Sequence, residues 1–357
     1  MFQSIRRCTV FLPRSHPILT KKYVGICLRF IVSAGFLGWV FSQTDLRTML
    51  QTWSTLDWIR LLASAIIVHL LCTALRTWRL TIILKNLGLA VSPLWLWLSH
   101  LRANCVSTLL PGNLGGDFYR TVMLARTSNQ KLASASAIIM ERLYGIAAMG
   151  ILSLFGFLYG VFALRHPALR PLAQPSLFFA LLAAFSIATA GWIYRHELLF
   201  RFHQWEKCGA SVARIVRLIA HPLTRTSEGI RLLSVSLLFQ LGIITWYAML
   251  ASIMELHMSF PLLIAIIPIV ELFLLLPISI GGAGIRETAF SVLLVPLGVP
   301  PEQAISFALL SFTLLTLTRT LSGLAFFIPC TPQVQSSPPR QHYENQTQHR
   351  PIRQKVR

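Results

Sequence analysis

Charge is what this sequence has least of. Only 12% of its 357 residues are Asp, Glu, Lys or Arg, against roughly 25% in an ordinary soluble domain. Acids are the scarcer sign, 12 Asp and Glu against 32 Lys and Arg, which leaves a formal net charge of +20. The low total excludes a water-soluble globular domain: hydrophobic residues make up 54% of the chain and the mean hydropathy is +0.63. In a soluble protein the basic excess would point to nucleic acid. Here it falls in blocks between apolar stretches, the pattern that marks cytoplasmic ends of membrane spans, so no nucleic-acid partner is expected.

Cysteine is sparse as well. Cys8, Cys27, Cys72, Cys105, Cys208 and Cys330 form no C-x-x-C pair, and the ten histidines form no H-x-x-x-H or H-E-x-x-H pattern. The spacing predicts neither disulfide nor metal site, with His69 and His100 packed or interfacial. No phosphate-binding loop and no nucleophile motif occurs, so no cofactor and no enzymatic centre are expected.

What is present is apolar length. Stretches of about 18–25 residues are long enough to cross ~30 Å of hydrocarbon at ~1.5 Å per residue. Spans are predicted at 24–42, 58–75, 136–163, 176–194, 232–254 and 303–328. Basic residues concentrate in 1–23, 76–93, 120–135, 195–231 and the C-terminal tail, which predicts both termini on the cytoplasmic side of an inner membrane. Residues 1–23 form a basic N-terminal segment without a signal-peptide cleavage pattern. Residues 195–231 read as a basic amphipathic helix in a cytoplasmic loop. Residues 329–357, rich in Gln, Pro and Arg, read as a disordered tail.

Two apolar segments, 94–110 and 261–276, do not cross. Each runs into a helix-breaking sequence, and the two breaks share one pattern. Leu109-Leu110-Pro111-x-x-x-Gly115-Gly116-x-x-x-Arg120 matches Leu275-Leu276-Pro277-x-x-x-Gly281-Gly282-x-x-x-Arg286, 166 residues apart. Non-helical backbone at membrane depth is tolerated only inside protein or beside a wet cavity. The charge blocks predict that the two hairpins enter from opposite sides, which is how many transporters build a site near the midplane. The predicted fold is therefore all-α and polytopic, with about six transmembrane helices plus two re-entrant hairpins in an inverted repeat. Its first half is 24–163 and its second 176–328.

Helix starts after Gly115-Gly116 and Gly281-Gly282 would offer N–H groups to an anion, with Arg120 and Arg286 adding full charge. Asp117, Glu141, Glu271 and Glu287 are the acids in or beside apolar segments, and Arg29, Arg102, Arg120, Arg142, Arg286 and Arg319 the bases. Ionisable groups in lipid cost ~2.5–3.5 kcal/mol each on insertion scales and usually face a polar interior. Glu141, Arg142 and Glu271 fit either interhelical ion pairs or contacts with a substrate. Glu141 and Arg142, being adjacent, cannot share a helix face and must each find a partner elsewhere.

Four motifs in order carry a resemblance: Arg76-Thr77-Trp78-Arg79; Leu110-Pro111-Gly112-Asn113-Leu114-Gly115-Gly116-Asp117-x-x-Arg120; Glu141-Arg142-Leu143-x-Gly145; and Pro277-x-Ser279-x-Gly281-Gly282-x-Gly284-x-Arg286-Glu287. Over about residues 20–330 the chain resembles the flippase-like membrane family named for the transmembrane region of lysylphosphatidylglycerol synthase. The resemblance implies translocation of a lipid, such as an aminoacylated phospholipid or a hopanoid-related one, with anionic-headed membrane lipids as partners. The full synthase adds a soluble aminoacyl-transferase domain, so the resemblance implies no synthase activity in this chain. Many relatives carry Glu where this chain has Asp117, which keeps the carboxylate. A lipid head-group transferase, with Asp117, Glu141 or Glu287 as base, and a scaffold for lipid-synthesis enzymes are the alternatives.

Overall fold

The computed structural model describes residues 38, 53–109, 115–162, 226–274, 284–332 and 334–336. Within them the chain is helical except for one pair of three-residue strands. Helix α1, Trp58–Asn86, starts where the Asp57 carboxylate accepts the Arg60 N–H at 3.1 Å. It ends before Gly88, whose φ of +76° turns the chain into β1, Leu89–Val91. Helix α2, Pro93–Leu109, opens on a proline that has no N–H to leave unsatisfied. After the break, α3, Gly115–Ser128, runs back along it. The long α4, Lys131–Phe162, follows.

The second set begins with α5, Thr226–Ile253, and α6, Phe260–Phe273. Then come α7, Ile285–Leu294, and α8, Pro301–Leu321, which tightens into a 3-10 turn over Ser322–Phe327. Strand β2, Val334–Ser336, pairs antiparallel with β1, Val91 opposite Val334. The tail expected to be without structure thus begins with an ordered pairing.

Among the described residues four helices are long and apolar enough to cross a membrane: Trp58–Asn86, Lys131–Gly156, Ser227–Ile253 and Pro301–Phe327. They coincide with four of the six predicted spans. The outward residues include Ile59, Ile67, Leu71, Phe155, Leu238 and Phe327, a surface suited to lipid rather than water. The predicted spans 24–42 and 176–194, most of the predicted loop helix 195–231, and the two breaks at 110–114 and 275–283 lie outside the described residues.

One prediction is corrected. Span two was expected to end at residue 75, with Arg76, Arg79 and Lys85 as its cytoplasmic flank, but α1 continues without interruption to Asn86. Arg79 is only 4% exposed. Those arginines turn inward because a carboxylate across the bundle receives them.

Among the described residues, two large apolar cores and a small cluster of Leu98, Leu101 and Ala325 hold the bundle. One, on α1 and α4 to α8, centres on Tyr247, Phe290 and Phe307, whose rings lie 5.2–5.9 Å apart at tilted or edge-to-face angles. The other joins α1 to α5 through Ile83, Leu96, Leu124, Tyr144 and Leu232. Glycine sets two close approaches. A Cβ at Gly116 would lie 2.6 Å from the Ala103 carbonyl oxygen, and one at Gly156 would lie 2.7 Å from Ala265 Cα. The first seats α3 against α2 and the second seats α4 against α6. The Gly156-x-x-x-Gly160 sequence therefore uses its first glycine inside the protein.

Candidate functional site

The polar residues of the first half meet at one place. Glu141, 2% exposed on α4, accepts at Oε1 from Arg76 Nε and Arg79 Nη2, both at 3.2 Å from α1. Its Oε2 accepts from Arg120 Nη1 of α3 at 2.5 Å. Arg120 also donates to Asp117, three residues earlier, and Asp117 receives Arg142 on its other oxygen. Two carboxylates thus hold four arginines from three helices. Glu141 and Arg142 do diverge as adjacent helix residues must, yet Asp117 and Arg120 draw both into one network.

His100 of α2 fits between these groups. Its Nδ1 lies 2.9 Å from the Leu96 carbonyl oxygen, which can only accept, so Nδ1 carries the proton. Its Nε2 then accepts from Arg120 Nη1 at 2.8 Å. Arg79 adds a bond from Nη1 to Ser236 Oγ of α5, 3.0 Å, and lies 5.7 Å over the Phe239 ring. Removing one partner from such a buried network strands the remaining charges, at a cost of about 3–5 kcal/mol.

Helices α3 and α7 each carry an acid in the first turn. Asp117 lies in the first turn of α3, where the helix dipole favours negative charge. In α7 the Glu287 carboxylate caps the Gly284 N–H at 2.6 Å. The helix ends are therefore already partly neutralised.

The sequence-predicted residues divide unequally. Gly116, Asp117, Arg120, Glu141, Arg142 and Glu271 line one cavity of about 200 Å³. Gly115 is buried at the start of α3 beside it. Arg286 and Glu287, 2% and 0% exposed, do not line it. Arg286 lies 5.7 Å over the Phe312 ring, and among the described residues its Nε and Nη1 have no partner. Gly281 and Gly282 lie outside the described residues.

The cavity is lined from α1 to α6 and α8, and so from both halves. Five arginines (76, 79, 120, 142 and 319) and three carboxylates (117, 141 and 271) border it, an excess of two positive charges with all groups ionised. Glu271 accepts the Tyr247 hydroxyl at 3.2 Å. Among the described residues no group of three His, Cys, Asp or Glu side chains is arranged to hold a metal ion.

The model of the family described as the lysylphosphatidylglycerol synthase TM region matches residues 26–323, most of the chain. The chain belongs to this family. It is accordingly a multi-pass membrane protein of lipid metabolism or transport. No curated protein and no solved structure matches it.

Sequence reasoning missed Arg76, Arg79 and His100 as members of the network. A signal was present: Thr73, Arg76 and Thr77 follow His69 at the fourth, seventh and eighth positions, a polar stripe along an otherwise apolar helix. Arg102, one of the candidate bases, has a different use. It donates to the Ala325 and Ile328 carbonyls at 3.0 and 2.7 Å and so closes the end of the last 3-10 turn.

Proposed function

We propose that this protein moves a lipid with an anionic or aminoacylated head group between the leaflets of a cell's inner membrane, without changing it covalently. The observation that carries this reading is the cavity: polar walls from both halves of an apolar bundle, with a surplus of positive charge. Its volume of about 200 Å³ is below the ~300–1,000 Å³ of pockets that enclose whole ligands, which suits a head group whose tails stay in the bilayer. On this reading the α2–α3 and α6–α7 pairs are re-entrant hairpins entering from opposite sides, and both termini are cytoplasmic. Membership of a lipid-related membrane family supports it.

The test is translocation in vesicles. Purified protein is reconstituted with fluorescent phosphatidylglycerol or phosphatidylcholine, and a membrane-impermeant quencher is added outside. The proposal expects loss of phosphatidylglycerol fluorescence beyond the outer-leaflet share. Protection of the inner leaflet for both lipids, in protein shown to be folded, counts against it.

A further inference from the structure

The four first-half arginines that line the cavity have carboxylates already. Arg120 is held by Asp117 and Glu141, Arg76 and Arg79 by Glu141, and Arg142 by Asp117. Any anion arriving at those groups has to compete with a bound carboxylate. Arg319 differs. It is half-buried in the last turns of α8 and lines the same cavity. Among the described residues no carboxylate lies within ion-pair distance of it. Glu271, also in the cavity, accepts the Tyr247 hydroxyl and attracts Arg319 through space without forming an ion pair with it.

A second observation concerns the same cavity. Gln240 on α5 is 1% exposed, lines the cavity, and has its amide nitrogen without a partner among the described residues. A buried donor without an acceptor costs about 1–3 kcal/mol, and sequences seldom keep one unless something satisfies it. Beside it, Arg79 Nε is likewise unpartnered. Arg319 and Gln240 therefore line the cavity without a hydrogen-bond or ion-pair partner among the described residues, while each of the four first-half arginines is already paired with Asp117 or Glu141.

We infer that Arg319, with Gln240 beside the same space, is the oxyanion-binding point of the cavity and takes a phosphate or phosphodiester group, and that Arg120 is a positioning residue holding the first-half network together. This rests on the reading of the cavity as a head-group site. Planar guanidinium paired to phosphate oxygens is the strong, charge-assisted form of such a contact. An amide N–H₂ adds a second, neutral donor.

The experiment is equilibrium binding to the full-length, detergent-solubilised protein, with dihexanoylphosphatidylglycerol and inorganic phosphate as separate probes. Wild type, Arg319→Gln, Arg319→Lys and Arg120→Gln are compared, with thermal unfolding measured on each. The expected result is that Arg319→Gln weakens dihexanoylphosphatidylglycerol at least tenfold with an unchanged or higher unfolding midpoint, and Arg319→Lys recovers part of the affinity. Arg120→Gln is expected to lower the midpoint. A free-phosphate site would show equal losses for both probes, a lipid site a loss with the lipid probe alone; both uphold the oxyanion assignment. Unchanged lipid affinity in Arg319→Gln overturns it, as does failure of wild type to bind either probe. Tight, Arg319-dependent binding in a protein that moves no lipid would keep the site and discard transport. Translocation by wild type and Arg319→Gln alike would keep transport and discard the site.

Discussion

The two Leu-Leu-Pro…Gly-Gly…Arg segments share one sequence pattern and differ in what meets their arginine. In the first, Arg120 is 3% exposed and answered by Asp117, Glu141 and His100. In the second, Arg286 is 2% exposed and rests on Phe312, with two of its nitrogens unpartnered among the described residues. Applying the same 166-residue offset, Asp117 corresponds to Ala283 and Glu141 to Phe307. Phe307 is fully buried in the aromatic cluster with Tyr247 and Phe290. At those two offset positions the second segment has apolar residues where the first has carboxylates. The first half thus adds a buried charge network to its apolar core while the second packs aromatic rings, and the cavity's two surplus positive charges come from the four arginines and two carboxylates of the first half.

That difference can be broken most severely at Glu141. Glu141→Ala leaves Arg76, Arg79 and Arg120 without their shared carboxylate and is expected to destabilise the protein by about 3–5 kcal/mol, read as a large fall in the unfolding midpoint in detergent. Asp117→Asn keeps the shape and removes one negative charge from the bonds to Arg120 and Arg142; a loss of about 1.5–3 kcal/mol is expected from denaturant titration. In the second unit the effects shrink. Glu287→Ala removes the cap on Gly284 and should cost about 1 kcal/mol, visible as faster amide exchange in the first turn of α7. Arg286→Met trades a sparsely partnered buried cation for an apolar side chain of similar length, and its midpoint should stay level or rise. A fall as large as that of Glu141→Ala would show that Arg286 is ion-paired after all and would remove the contrast.

Much of the architecture was legible because membrane helices announce themselves by apolar length. The predicted spans at 136–163, 232–254 and 303–328 each overlap a described helix, whereas α3 starts on Gly115 itself rather than after Gly115-Gly116. The family was legible from motif order. Less legible was which charges face inward. Arg76 and Arg79 obey the statistics of a cytoplasmic flank, and only Glu141, more than 60 positions later, makes them interior groups. Arg120 carried the expected type of charge, but the sequence does not reveal that two carboxylates already hold it. Nor could spacing show that Arg102 closes a carbonyl end while Arg319 faces a cavity, since both are single arginines in apolar surroundings.

The central claim is that an anionic lipid passes through this cavity, and obstructing the cavity tests it most directly. Gly145 lines it, and a Cβ there would meet only the end of the Arg79 side chain at 3.7 Å. Gly145→Leu therefore puts bulk into the space without striking backbone. Translocation of fluorescent phosphatidylglycerol is measured in vesicles containing wild type or Gly145→Leu of matched stability. The account predicts loss of inner-leaflet protection with wild type and its retention with Gly145→Leu; equal translocation by both proteins would contradict it.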